Sequence, residues 1–159
     1  MIVAVSAGLL MYTVSLGRLK VFLVHPGGPF FKNKDDGYWG IPKGLQEFDE
    51  GLLKTAVREF HEETSIIPLG DFFPLGFVKQ KNGKIVHAWA FRVEDNFTFN
   101  FKSNTFEMEW PPESGIKQLF PEVDKGEFFD PDIARIKIVG SQSEFISKLE
   151  RHLNLSELI

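Results

Sequence analysis

The segment Gly44–Ile66, GLQEFDEGLLKTAVREFHEETSI, constrains this chain more than any other. Glu59, Glu62 and Glu63 are spaced i, i+3, i+4. At about 100° per residue they share roughly 100° of arc on one helix face. Leu52, Leu53, Ala56, Val57 and Phe60 occupy an adjoining arc of roughly 140°. One side of this helix therefore seeks a core, with three carboxylates along its edge. Like charges at this spacing repel, and carboxylates half withdrawn from water are costly unless a cation meets them. Arg58 is one such cation, able to clamp a carboxylate through two hydrogen bonds. A divalent metal is the other. Hard oxygen donors in a chain without cysteine suit Mg²⁺ or Mn²⁺ rather than Zn²⁺.

An acidic run on a helix is ordinarily a solvated face, but here its flanks are in register with a known pattern. Gly44, Glu50, Arg58, Glu59, Phe60, Glu62, Glu63 and Ile66 resemble the Nudix box of the Nudix (MutT-like) hydrolase superfamily. That box runs Gly, five residues, Glu, seven residues, Arg-Glu, an aliphatic or aromatic residue, any residue, Glu-Glu, any residue, Gly and an aliphatic residue. One position departs from it: Ser65 stands where the family has Gly. Six fixed identities in register arise by chance on the order of once in 10⁷ windows.

The resemblance implies an α+β fold, an α/β/α sandwich with a mixed sheet. It implies metal-dependent hydrolysis of the pyrophosphate link in a nucleoside diphosphate joined to another group X. Glu59, Glu62, Glu63 and the Gly44 carbonyl would be the metal ligands, with Mg²⁺ or Mn²⁺ as cofactor. Arg58 would orient a carboxylate, with Glu50 as its partner. The general base would be Glu59 or a carboxylate beyond the box, for which Glu107 and Glu109 are candidates and Glu109 is carried forward. Ser65 touches no ligand in this scheme. Where the family glycine ends the helix with φ > 0, serine costs about 1 kcal/mol or shifts the helix exit.

At 159 residues, 43% of them apolar, residues 1–159 are expected to form one domain with a proper core. Residues 2–12 are a continuous apolar run, too short to span a membrane and lacking the basic start of a signal peptide. A strand buried on both faces fits it, followed by a turn at Leu16–Leu19 and a strand from Lys20 to His25. The expectation is a cytoplasmic protein with no membrane partner. Pro26–Gly37 is a glycine-containing loop with Lys32 and Lys34, long enough to act as a flap over substrate. In the lead-in to the box, Lys43 is placed to meet a phosphate and Trp39 to stack on a base, unless Trp39 belongs to the core.

Asp49 is a plausible N-cap for a helix running to about Thr64, with Pro68 enforcing the stop. Asn82-Gly83 predicts a hairpin between strands at Phe72–Lys81 and Lys84–Val93. Phe97, Phe99 and Phe101 alternate with polar residues as a half-buried strand would. Phe106–Gly115 is turn-rich, Glu127–Phe129 is a short strand, and Asp130-Pro131 opens a helix. Ser141 and Glu144 form a capping box for the last helix.

For X, the region after the box, Gln80–Gly83, lacks both the Pro that marks sugar-nucleotide subgroups and the Tyr that marks dinucleoside polyphosphate subgroups. The expected substrate is a nucleoside triphosphate or a dinucleoside polyphosphate. The Trp39–Lys43 lead-in resembles that of diadenosine tetraphosphate hydrolases. Two alternatives stand beside this. A non-catalytic nucleotide-sensing Nudix domain would ordinarily have lost a box glutamate, and all four are present here. An RNA 5′-pyrophosphohydrolase would want a basic groove, and a net charge of −4 argues against a nucleic-acid partner.

Overall fold

The computed structural model describes residues 3–154, so Ile2 of the expected first strand lies outside the described residues. The elements run β1 Val5–Ser15, β2 Arg18–Pro26, β3 Lys43–Leu45, α1 Leu52–Thr64, β4 Phe73–Lys79, β5 Ile85–Arg92, β6 Thr105–Glu109, β7 Lys117–Pro121 and β8 Val123–Phe129. After them come α2 Pro131–Lys137, a 3₁₀ turn Gly140–Gln142 and α3 Ser143–Asn154. The main sheet has the order β4-β5-β1-β2-β8, with β3 also paired to β1. The β1–β5 pairing is parallel and the others are antiparallel, so the sheet is mixed.

The apolar run of β1 serves two cores at once. Ala7, Leu9 and Met11 pack with Phe22, Ala56, Phe60 and Phe91 beneath α1. Leu10 and Tyr12 face the other way, with Trp39, Ile138, Phe145 and Leu149 beneath α2 and α3. A strand covered by helices on both faces has no solvent side to mark with polar residues, hence the unbroken hydrophobic stretch. The architecture is an α/β/α sandwich in the α+β class. Among the described residues, no helix is long and apolar enough to cross a membrane.

Several local expectations need correction. Asp49 is not the N-cap: it sits at φ 60°, and Gly51 caps α1. Phe97–Phe101 forms no strand. Phe99 and Phe101 pack on Phe22, Phe99 edge-on at 5.7 Å between centroids, and Phe97 stacks on Phe99. The backbone that follows supplies donors to the end of α1, Lys102 N–H to the Thr64 carbonyl and Asn104 N–H to the Glu62 carbonyl. Free carbonyls at a helix C-terminus thus take the chain that period-two patterning assigned to a sheet. The turn-rich reading of Phe106–Gly115 holds only for its second half. Thr105–Glu109 pairs with Lys117–Pro121 as a separate two-stranded ribbon. β8 begins at Val123, well before Glu127. Helix α3 starts at Ser143, so Ser141 is not its cap, and Glu144 pairs with Arg151 instead.

Ser65 adopts the left-handed conformation that the family glycine would take, φ 64° and ψ 11°. Its hydroxyl donates to the Lys102 carbonyl at 2.6 Å, which offsets part of the strain.

Candidate active site

Helix α1 and the short strand β3 build the site. β3 lies antiparallel to β1 with Gly44 opposite Ala7, against the edge of α1 that carries the glutamates. Arg58 is the hub. Its Nε and Nη2 donate to the two oxygens of Glu50 at 2.8 and 3.0 Å, the bidentate clamp. Its Nη1 donates to Glu59 at 2.8 Å and to Glu62 at 3.3 Å, and Nη2 also reaches the Leu45 carbonyl. Glu50 further accepts from the Thr55 hydroxyl at 2.6 Å. Hydrogen bonds from Arg58 and Thr55 pull the Glu50 carboxyl down to about 2, and the same partnership raises Arg58 above its ordinary value. Glu50 is thus a fixed anion that holds a fixed cation.

The carboxylates beyond this clamp behave differently. Glu63 is 8% exposed. Burial, reinforced by the neighbouring Glu59, pushes its carboxyl up to about 8, while Lys43 works the other way. Burial also raises Glu59, against the pull of Arg58. Lys43 is lowered by burial, partly countered by Glu63 and Glu59. Among the described residues, no three carboxylate or imidazole groups are gathered around one point. Arg58 instead spans Glu50, Glu59 and Glu62. The donor set still fits a hard divalent cation. It consists of oxygens alone, three carboxylates and the Gly44 carbonyl, and one of the carboxylates, Glu63, is buried beside Glu59. Gly44 supplies the second sign of fit. A Cβ at this position would fall on the Glu59 carboxylate, so only a residue without a side chain leaves that carboxylate its place.

A cavity of about 420 Å³ opens beside the cluster, and Lys43, Glu63 and Glu122 line it together with Phe31, Tyr38 and Gln142. Two of the predicted site residues are placed otherwise than expected. Glu109 lies at the tip end of the β6–β7 ribbon, opposite Lys117. The other end is the one tied to α1, through Glu122 N–H to the Asn104 carbonyl and Asn104 N–H to the Glu62 carbonyl. Along the strand Glu109 lies about 13 Å from that anchored end, and the next residue, Trp110, meets the Phe30 ring at 5.4 Å between centroids. The carboxylate the fold brings to the cluster is Glu122, whose charge acts on both Glu59 and Glu63. No motif marks Glu122. The signal that would have found it is the alternation of Thr105–Glu109, which predicts a strand and hence a return past α1.

Trp39 is the other correction. At 2% exposure, with its ring edge-on to His25 and Phe129 and its Nε1 donating to Asp35 at 2.8 Å, it forms the cavity wall and offers no face for stacking. Trp39→Phe is expected to lower stability by about 1–2 kcal/mol and leave KM nearly unchanged. Chemical denaturation and steady-state kinetics check the pair of outcomes. The expected flap, Pro26–Gly37, is tied down at its far end. His25 Nδ1 meets Asp124 at 2.8 Å and its Nε2 meets the Lys34 carbonyl at 2.6 Å, while Lys137 pairs with Asp35 and Asp36.

A mixed sheet between helices, with an Arg-centred glutamate cluster on the first helix, defines the Nudix class of domain. The chain belongs to that family: the NUDIX domain model matches residues 4–149. Solved structures share the fold. The NUDIX domain of Shewanella oneidensis NrtR, complexed with ADP ribose, superposes with a TM-score of 0.68 at 17% identity, over 96% of this chain and 90% of that one. A C. elegans Ap4A hydrolase binary complex gives 0.65 at 18% identity, over 96% and 98%. A mutT/nudix family protein from Listeria innocua gives 0.64 at 16%, over 98% and 96%. No curated protein matches the sequence.

Proposed function

We propose that this protein hydrolyses the pyrophosphate link of a nucleoside diphosphate joined to a group X, with Mg²⁺ or Mn²⁺ held by Glu59, Glu62, Glu63 and the Gly44 carbonyl. A nucleoside triphosphate or a dinucleoside polyphosphate such as diadenosine tetraphosphate is the substrate class. The observation that carries this is Glu63, a carboxylate buried beside Glu59 and Lys43 at the edge of a cavity of nucleotide size. The folds that bind ADP ribose and hydrolyse Ap4A in other organisms support the same class.

When bound, the cation supplies charge neutralisation for the phosphate oxygens and a lowered pKa for the attacking water. The protein's own groups do the rest. Arg58, anchored on Glu50, fixes where Glu59 and Glu62 point. Lys43, at the cavity edge, meets phosphate as a point charge. Glu122, exposed among the residues that line the cavity and acting electrostatically on Glu59 and Glu63, is the group we assign to take a proton from the attacking water. Glu59 is the alternative base, and Glu109 stands at the ribbon end away from the α1 anchor, beside Trp110 and its ring contact to Phe30.

Arg58→Lys keeps the charge and loses the fork. It is expected to reduce kcat/KM by about 10–100-fold, with a matching loss of Mn²⁺ affinity by calorimetry.

The deciding experiment is a panel assay with Mg²⁺ or Mn²⁺ against nucleoside triphosphates, diadenosine polyphosphates, ADP-ribose and triphosphorylated RNA, with products resolved by chromatography. Strong turnover of one class that EDTA stops supports the proposal. Binding without turnover favours the nucleotide-sensing alternative, and a salt-sensitive preference for RNA favours the 5′-end enzyme.

A further inference from the structure

Glu122 is exposed, and its carboxylate stands where its backbone puts it. That backbone is gripped from two sides. On the side of α1, Glu122 N–H donates to the Asn104 carbonyl at 2.9 Å, and Asn104 N–H donates to the Glu62 carbonyl at 2.9 Å. The Ser103 hydroxyl reinforces this side. It donates to the Asn104 carbonyl at 2.8 Å and accepts from Val123 N–H at 3.1 Å. On the other side, Gly27 N–H donates to the Glu122 carbonyl at 2.9 Å. The helix that carries the glutamate cluster and the loop Pro26–Gly37 thus meet on one residue.

Gly27 has no room for a side chain. It is buried and lies outside the left-handed region, and a Cβ there would fall on the Pro121 carbonyl oxygen. That carbonyl and the Glu122 N–H belong to one planar peptide. Whatever pushes the oxygen therefore swings the N–H away from Asn104. A backbone carbonyl cannot step aside as a side-chain tip can, and it would have to give by roughly an ångström. The seam continues outward, with the Phe106 ring against Gly28 and Phe30 meeting Trp110. The far part of the loop is secured separately. His25 Nε2 meets the Lys34 carbonyl, and Lys137 pairs with Asp35 and Asp36. Phe31 and Tyr38 therefore keep their places on the cavity wall when the Gly27 end shifts.

We propose that Gly27, backed by Ser103, is a positioning residue for Glu122: it sets the carboxylate against the attacking water and acts on the chemical step, not on the binding of substrate or metal. As the water oxygen bonds to phosphorus, its proton passes to Glu122. The P–O bond of the anhydride breaks, and its electron pair leaves on the departing phosphate oxygen. A general base contributes about 10²–10⁴-fold, and misplacement by about 1 Å costs about 10²-fold. This role rests on the hydrolysis proposed above.

A double-mutant cycle, run on the substrate the panel identifies, tests it. Gly27→Ala is expected to lower kcat by about 10–100-fold, with KM and the calorimetric Mn²⁺ affinity within about 3-fold of wild type. Glu122→Gln should lower kcat by at least about 100-fold. Adding Gly27→Ala to it should cost less than about 2-fold more, since a carboxylate that is gone cannot be misplaced. Ser103→Ala introduces no clash and should lower kcat by about 3–10-fold, again with no further effect in the Glu122→Gln background. Its cycle gives the answer if Gly27→Ala does not fold. Equal losses in both backgrounds overturn the proposal. So does a raised KM or weakened Mn²⁺ binding with kcat unchanged, or a Glu122→Gln variant that keeps near wild-type kcat. In each of those cases hydrolysis itself stands. Absence of metal-dependent turnover by the unaltered protein would remove the hydrolysis, and this role with it.

Discussion

Glu63→Gln is expected to lower kcat by at least about 10³-fold, the loss of roughly 4 kcal/mol of transition-state stabilisation, while making the EDTA-treated protein more stable at pH 8. Both effects come from one feature, a carboxylate buried beside Glu59 with its pKa pushed up to about 8. In the unfolded chain the same group titrates near its ordinary value of 4.5. Between those two values the folded protein holds a proton that the unfolded chain has released. Stability of the EDTA-treated protein therefore falls as pH rises from about 5 to about 8, and levels off above that. Glutamine keeps the shape and removes this titration, so the variant's melting temperature should fall less steeply across the window, Glu59 still titrating, and lie above wild type at the alkaline end. Mn²⁺ should restore the wild type and do little for the variant, since a bound cation stabilises only the fold that holds it. Melting temperatures at three pH values, with and without Mn²⁺, together with kcat, test all of this. Near wild-type turnover by Glu63→Gln would remove Glu63 from the site.

The box helix was legible because its chemistry is local. Arg58 reaches Glu59 and Glu62 within one helical turn and Glu50 across one short loop, so sequence offsets translate directly into distances. The two-sided burial of β1 was legible for a similar reason, because it is written into a continuous run of residues. What stayed hidden depends on partners remote in the chain. Glu122 reaches the cluster only because Asn104 bonds both the end of α1 and the residue after β7. Gly27 meets the same residue from the loop and carries no motif either. Trp39 could be read either as a stacking surface or as core, and only the neighbours His25 and Phe129 decide between them. The Phe97–Phe101 alternation misled because period two says a segment is half buried, not that another strand is there to pair with it.

Gly44→Ala is expected to cost about 10²-fold in kcat/KM with only a small change in melting temperature. The glycine sits in β3 with no positive φ, so alanine meets no backbone strain there. What it meets is the Glu59 carboxylate, which occupies the volume a Cβ would need. A flexible glutamate can swing aside at low energetic cost, and for that reason the fold survives. Swinging aside, however, breaks the 2.8 Å bond to Arg58 Nη1 and moves an oxygen out of the cluster by more than an ångström. Displacements of that size at a reacting centre are enough for losses of about two orders of magnitude. The same shift should weaken Mn²⁺ binding, whereas an alanine that acted only on the backbone would change stability and leave metal affinity alone. Calorimetric titration of Mn²⁺ into Gly44→Ala, beside thermal denaturation and kinetics on whichever substrate the panel identifies, separates those two mechanisms. Full activity with unchanged metal affinity would show that Glu59 has another position from which it serves equally well.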